Sequence, residues 1–261
     1  MKDLTLTIVA YNNFDDIKNA LDSIEKYTSK KIKKEIYIVD NSCLDNKDKT
    51  IVEFNKYISK YKDIKYINTN KNLGFGKAHN YIINDIDSKY HAIVNPDILL
   101  EEDALQEIIK YLDSNKDVGM VIPNMTDEKG TRQEVYRLEP TIFDMFIRMF
   151  CKGLFKKRKA KHTMQNMDYS KPFQVPFGQG SFLVIRTKLF KELNGFDDNF
   201  FMYLEDADLC KRVNRVSKLM YLPSATVIHK WEKGSHKNKT LFKHHLKSMK
   251  YYFKKWGYKL F

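Results

Sequence analysis

Through the N-terminal half of this chain, short β-rich runs alternate with stretches of helical periodicity. Leu4–Val9 (LTLTIV) reads as a strand broken by Tyr11-Asn12-Asn13. Ile17, Ala20, Leu21 and Ile24 then recur at helical spacing behind Asp15 and Asp16. Glu35–Val39 is a second strand, ending on Asp40-Asn41-Ser42, and Asp45–Tyr61 reads as a helix with Ile51, Phe54 and Ile58 inward. Lys65–Asn68 gives a short strand before the loop NTNKNLGFGKAHN, which leads to a helix over Asn80–Ile86. A strand at His91–Val94 ends on Asn95-Pro96-Asp97, and Glu101–Leu112 (helix) and Val118–Ile122 (strand) follow. This alternation predicts an α/β fold: an open, mainly parallel, Rossmann-like sheet with helices on both faces. In such sheets the ligand lies beyond the carboxyl ends of the strands. The polar clusters Tyr11-Asn12, Asp40-Asn41, Asn72–Asn80 and Asn95–Asp97 all fall at those ends, which marks the candidate site.

After Ile122 the pattern changes. Arg132–Leu138 reads as a strand of a small antiparallel piece, Thr141–Phe155 is apolar and aromatic, and KKRKAK follows it. Phe177-Gly178-Gln179-Gly180 is a loop before a strand at Ser181–Ile185, and a strand pair at Leu219–Leu222 and Ala225–Ile228 leads to His229. The expected organisation is a first half over 1–123, a second half of the same domain over 124–236 and a C-terminal helix over 237–261. In that tail Phe242, Leu246, Met249, Phe253 and Trp256 form an apolar stripe beside Lys243, Lys247, Lys250 and Lys254. It reads either as a basic amphipathic helix on an anionic bilayer or as a helix packed on the core with a solvated lysine edge.

The 261 residues carry 46 Lys+Arg against 33 Asp+Glu, a formal charge of +13, which implies an anionic partner. No run approaches the roughly 18 apolar residues of a spanning helix, and the N-terminus lacks a cleavable signal pattern. The expected location is cytoplasmic, peripheral on the inner face of the cell membrane. Cys43, Cys151 and Cys210 are far apart and form no metal-ligand pair, so they read as reduced thiols.

Several residue groups carry chemistry, each with a bland counterpart. Glu205-Asp206 and Asp197-Asp198 sit among Phe196, Phe200, Phe201, Met202, Tyr203 and Leu204. Apolar surroundings raise the cost of ionising a carboxylate and suit a general base; the alternative is an acidic first turn complementing a helix dipole. Asp97 is either a helix cap or an oxygen ligand for a hard divalent cation, with neutral Asn95 beside it. Gly74, Gly76 and Lys77 form a glycine-containing loop opening a helix, where free backbone N–H groups would meet a phosphate. His229 is a candidate metal ligand or a satisfied structural histidine.

The ordered set TIVAYNN, YIVDNS, NxGFGKAHN, NPDILL and GFDDNFFMYLEDADLCKR, spanning about Leu4 to His229, resembles the family 2 glycosyltransferases of GT-A fold, in their bacterial rhamnosyltransferase-like branch. The resemblance implies donor-nucleotide contacts at Ala10, Tyr11, Asn12 and Asp40. It places Asn72, Gly74, Phe75 and Lys77 along the diphosphate, with Asn95 on the donor side. It further implies Mg²⁺ or Mn²⁺ at Asp97 with His229 completing the site, although the usual following glycine and serine arrive late, as Gly234 and Ser235. Asp206 would be the catalytic base with Glu205 its neighbour, and Phe177, Gly178, Gln179, Gly180 and Ser181 would face the acceptor. The implied reaction is inverting transfer from a nucleotide-sugar donor, dTDP-rhamnose by branch, to a growing, lipid-linked surface polysaccharide. The competing readings are a sugar-phosphate nucleotidyltransferase, a basic nucleic-acid-binding protein and a ligand-binding pseudoenzyme. The first wants a glycine-rich basic signature near the first strand, where Leu4–Asp16 has no glycine. The second meets acidic pairs at the presumed site that repel phosphate, so nucleic acid is not an expected partner. Intact Asp97, Glu205 and Asp206 argue against the third.

Overall fold

The computed structural model describes residues 1–151, 153–230 and 239–261. The expected Gly234 and Ser235, together with Lys152 and residues 237–238 of the tail, lie outside the described residues. Strands β1 (Lys2–Ala10), β2 (Lys34–Asp40), β3 (Ile64–Asn68) and β4 (Ser88–Val94) alternate with α1 (Phe14–Tyr27), α2 (Lys49–Ile58) and α3 (Phe75–Asn80). Then come β5 (Ile98–Leu99), α4 (Ala104–Ser114), β6 (Val118–Thr126), β7 (Tyr136–Arg137), α5 (Ile142–Phe150), α6 (Lys156–His162), β8 (Phe173–Gln174) and β9 (Phe177–Gly178). The remainder is β10 (Phe182–Arg186), α7 (Thr187–Glu192), α8 (Glu205–Val216), β11 (Lys218–His229) and α9 (Lys239–Trp256).

Among the described residues the main sheet runs β3-β2-β1-β4-β10-β6-β11-β5, with β8 on β11. β3, β2, β1 and β4 are parallel, and β6 and β11 are parallel to each other. β10 runs against both β4 and β6, so those two share a direction and the expected mainly parallel sheet is present. A reversed strand begins where its neighbours end: Phe182 faces Val94, and Ser181 O accepts from Asn95 N at 2.8 Å. The Phe177–Ser181 segment is thereby delivered to the carboxyl edge of the parallel strands. β11 ends on the same edge, where His229 pairs with Ile98 and so adjoins Asp97.

Several boundaries differ from the sequence expectation. The helix expected at Asn80–Ile86 is instead α3, one turn earlier, because Gly74 at φ 81° turns the chain into it; residues 81–85 continue as hydrogen-bonded turns. Asp48 and Asp103 cap α2 and α4 through Thr50 N and Gln106 N, which shortens both relative to the periodic pattern. The expected strand pair after Leu219 is one continuous strand, β11, with an irregularity between Leu222 and Thr226 that absorbs the intervening Pro-Ser. The Arg132–Leu138 strand contracts to Tyr136–Arg137, antiparallel to Phe177–Gly178 in a separate two-stranded piece.

The tail is a correction of the stripe. Ser248, Tyr252 and Phe253 are the buried positions of α9, while Phe242 and Leu246 stay exposed. Ser248 Oγ donates to Met202 O, Trp256 Nε1 to Asp208 Oδ1, and Tyr251 OH to Asp197 Oδ2. Lys255 lies 2.6 Å from both Asp197 and Asp208. The helix therefore straps the 197–208 segment to the body. Burial opposes ionisation of Asp197, but Lys255, Asn199 and Tyr251 outweigh it and hold the carboxyl down to about 2. A depressed carboxylate adds stability above its unfolded value and loses it as pH falls through the folded one, so this strap holds across neutral pH and weakens in strong acid. Asp208 is fully buried and also meets Arg212 at 2.7 Å. Asp208→Ala leaves two cations without their shared anion, and a loss of about 3–5 kcal/mol in urea unfolding is expected. Phe242→Ser, on the open face, should stay within about 0.5 kcal/mol.

Candidate functional site

The site is assembled at the carboxyl edge of the sheet. Tyr203 (φ 70°) and Leu204 (φ 67°) are consecutive non-glycine residues in left-handed backbone immediately before α8. Such conformations cost of order 1–3 kcal/mol each and persist where the surroundings impose them. Here the strain turns the first helical residues, Glu205 and Asp206, back toward the sheet. Asp206 Oδ2 accepts from Gly180 N at 3.0 Å and Oδ1 from Ala207 N at 2.9 Å. Glycine at 180 eases this approach, since a Cβ there would crowd Asp206 Cβ at 3.0 Å.

The two carboxyls have different environments. Glu205 is 5% exposed and its Oε2 has no partner. Burial first, and the Asp206 charge second, push its carboxyl well above the usual range. Burial also raises Asp206, but two backbone N–H groups, Arg137 and Arg148 pull it back. The two N–H donors and the arginines favour a charge on Asp206, and enclosure favours a proton on Glu205.

At the end of β4, Asp97 Oδ2 lies 3.3 Å from His229 Nε2, while His229 Nδ1 meets Gln133 Oε1 at 2.8 Å. Gln133 Nε2 donates to His229 O at 2.7 Å, which fixes both ring and backbone. Asp97 Oδ1 and Asn95 Oδ1 are buried without partners. Orphaned hard oxygens beside an imidazole fit a divalent cation that takes its other ligands from water and phosphate. No cluster of three His, Cys, Asp or Glu side chains occurs among the described residues, so Asp97 and His229 are the protein ligands on offer.

The donor-side residues divide into exposed and structural. Tyr11 is 54% exposed, and Asn12 (φ 57°) is held by its N–H to Ser42 Oγ. Ala10 and Asp40 are fully buried; Asp40 accepts from Tyr66 OH (2.6 Å) and Ser42 N (2.7 Å), so both oxygens are engaged in shaping the turn. The glycine loop departs from the expectation of free N–H groups. Gly74 N donates to Asn72 Oδ1 and Phe75 N to Phe201 O, and a Cβ at Gly74 would strike Phe201 O at 2.1 Å. The loop is spent on docking the 196–204 segment, which Asn80 clamps through both amide groups to Phe196 N and O. Lys77 remains half exposed, 3.9 Å from Asp198.

On the acceptor side, Phe177, Gly178, Gly180 and Ser181 are buried, and Gln179 links Arg137 to Ser181 through its amide. Sequence reasoning missed Gln133, Arg137 and Arg148. Arg148 had a signal, being the one basic residue in the aromatic helix sequence IFDMFIRMF; Gln133 and Arg137 had none, because only pairing across the fold brings them to the site.

The family model for glycosyl transferase family 2 matches residues 5–194. The chain is 31% identical over 217 residues to the rhamnosyltransferase WbbL of Escherichia coli K12, covering 78% of each chain. It is 24% identical to the N-acetylglucosaminyl-diphospho-decaprenol L-rhamnosyltransferase of Mycobacterium tuberculosis, over 87% of this chain and 75% of that one. Among solved structures, GalNAc-T7 with UDP, GalNAc and Mn²⁺ superposes with TM-score 0.69 at 15% identity, covering 96% of this chain. The mannosyltransferase of Pyrobaculum calidifontis with GDP-Man and Mn²⁺ gives 0.61 at 16% over 90%. The chain spans 48% and 61% of the length of those two structures, and the likeness is one of fold. With its GT-A architecture and the family model covering most of its length, the chain belongs to glycosyl transferase family 2.

Proposed function

We propose that the protein is an inverting, metal-dependent glycosyltransferase that moves rhamnose from dTDP-rhamnose to a lipid-linked saccharide. The observation carrying this reading is the Asp206 carboxyl, oriented by Gly180 and Ala207 on the same sheet edge as Asp97 and His229. The donor sugar and acceptor class come from the relatives' activities.

Asp206 takes the proton of an acceptor hydroxyl as its oxygen attacks the anomeric carbon, and the nucleoside diphosphate leaves from the opposite face. One displacement inverts the configuration. Glu205, holding its proton, keeps a second negative charge out of the site. Asp97 and His229, with Asn95 beside them, would hold Mg²⁺ or Mn²⁺, which supplies neutralising charge to the departing diphosphate. Lys77 and the exposed Tyr11 face the donor from the strand ends.

Asp97→Ala is expected to abolish the Mn²⁺-dependent part of dTDP binding. At a hundred times its Kd, dTDP should stabilise the parent by about 2.7 kcal/mol in thermal unfolding; an equal Mn²⁺-dependent gain in the variant would leave Asp97 only its contact with His229.

Asp206→Asn is expected to retain dTDP binding and slow transfer by at least about 10². Glu205→Gln, which mimics the protonated side chain, should stay within about tenfold of the parent. Because Asp206 must be ionised to act and its carboxyl is raised above 3.8, kcat/KM should fall as pH drops through a value above 3.8. Near-normal transfer by Asp206→Asn would pass the role to another group.

We also propose that the enzyme works against an anionic bilayer. No helix among the described residues is long and apolar enough to cross a membrane. Phe146, Phe150, Leu154 and Phe155 are exposed next to Phe242 and Leu246, with Phe150 and Phe242 rings 6.5 Å apart. Exposed Lys156, Lys157 and Lys161 of α6 and Lys243 and Lys247 of α9 border this surface. Each lysine near an acidic surface contributes about 1 kcal/mol. The full chain should co-sediment with anionic vesicles and not neutral ones, and Phe150→Ser should weaken this; lipid-independent or unaltered sedimentation would refute the surface.

A further inference from the structure

Two arginines, Arg137 and Arg148, act electrostatically on Asp206. Arg137, on β7, is 6% exposed; its Nη2 donates to Glu134 O at 3.1 Å and to Gln179 Oε1 at 3.2 Å, and its guanidinium lies 5.6 Å from the Phe177 ring centre. Gln179 is next in sequence to Gly180, whose N–H holds Asp206. Arg148, on α5, is open to solvent and close enough to act electrostatically on both Arg137 and Asp206. Neither arginine has a carboxylate within 4.0 Å among the described residues. The fold thus holds a buried guanidinium without a contact counter-ion and sets a second beside it. Burying an unpaired charge is costly, and the two cations repel. Asp206 offsets both at longer range, joined by Glu134 at Arg137 and by Tyr203 at Arg148.

Resting on the acceptor-side reading above, we propose that Arg137 and Arg148 bind the phosphate group that tethers the acceptor saccharide, one sugar ring from the hydroxyl that Asp206 deprotonates. A planar guanidinium presents paired donors to phosphate oxygens, and two of them match a diphosphate. Arg137 is the preorganised anchor, fixed by Gln179 and Glu134, and Arg148 closes on the ligand from the solvent side. The placement suits a lipid-linked phosphate, since the exposed Phe146 and Phe150 stand on the same helix as Arg148, on a different side of it. In the reading above, the donor's diphosphate is held through Asp97 and His229.

The test titrates octyl diphosphate, with octyl glucoside as the neutral control, into the full chain saturated with dTDP and Mn²⁺. The parent should bind the diphosphate and not the glucoside. Arg148→Gln should weaken octyl diphosphate by about tenfold or more, Arg148→Lys should restore part of it, and dTDP affinity should stay unchanged in both. Arg137→Lys, which keeps the buried charge where Arg137→Gln endangers folding, should weaken the diphosphate by a smaller factor. Equal octyl diphosphate binding by parent and Arg148→Gln, or no binding by the parent, would overturn the proposal. A loss of dTDP binding on Arg148→Gln would overturn it too, by assigning the arginine to the donor. Failure of the parent to bind dTDP would instead sink the dTDP-rhamnose donor reading.

Discussion

β10 runs against the two strands that flank it, and the geometry of the site follows from that reversal. Parallel strands deliver their carboxyl ends to one edge, but the residues that precede each strand are left at the other. A single antiparallel strand between β4 and β6 brings its leading segment, Phe177–Ser181, to the edge where Asn95 and Asp97 emerge. Gly180 then reaches Asp206, and Gln179 reaches Arg137. Without the reversal, Asp206 would lose the Gly180 N–H that favours its charge in a buried setting.

The site divides its two carboxyls by environment, not by residue type. Glu205 is enclosed and unpartnered; Asp206 sees backbone N–H groups and two guanidinium groups. A fixed field of this kind favours one negative charge at Asp206 without reorganisation of the donors around it. Its cost is visible in the left-handed Tyr203 and Leu204, and the 197–208 segment that carries this strain is fastened from outside by α9 through Ser248, Lys255 and Trp256. The tail helix thus has two faces with different work. Ser248, Tyr252 and Phe253 secure the segment, while Phe242 and Leu246 continue the exposed aromatic surface of α5.

The glycine loop shows how one motif can serve structure and function together. Gly74 and Gly76 allow the loop to press against Phe201 and Phe196, and Asn80 binds Phe196 through both ends of its amide. The loop therefore positions the acidic segment more than 100 residues later in the chain, at |i−j| of 116 for the Asn80–Phe196 bonds.

Much of the architecture was legible in the sequence because it is encoded locally. The alternation of β-rich and helical runs determined a mainly parallel sheet, and the polar clusters after Val9, Val39 and Val94 marked its carboxyl edge. Asp97, Glu205 and Asp206 were conspicuous as carboxylates in apolar surroundings. Tertiary structure alone decided the rest, since it depends on contacts between residues distant in the chain. Strand order and the direction of β10 set Asp97 beside His229 and Gly180 beside Asp206. The docking of α9 split the tail's apolar stripe, because burial depends on which neighbour a helix face meets and not on periodicity. Arg137 and Gln133 entered the site only through pairing across the fold, and the choice of which carboxyl keeps its proton was set by the donors and charges that folding placed around each.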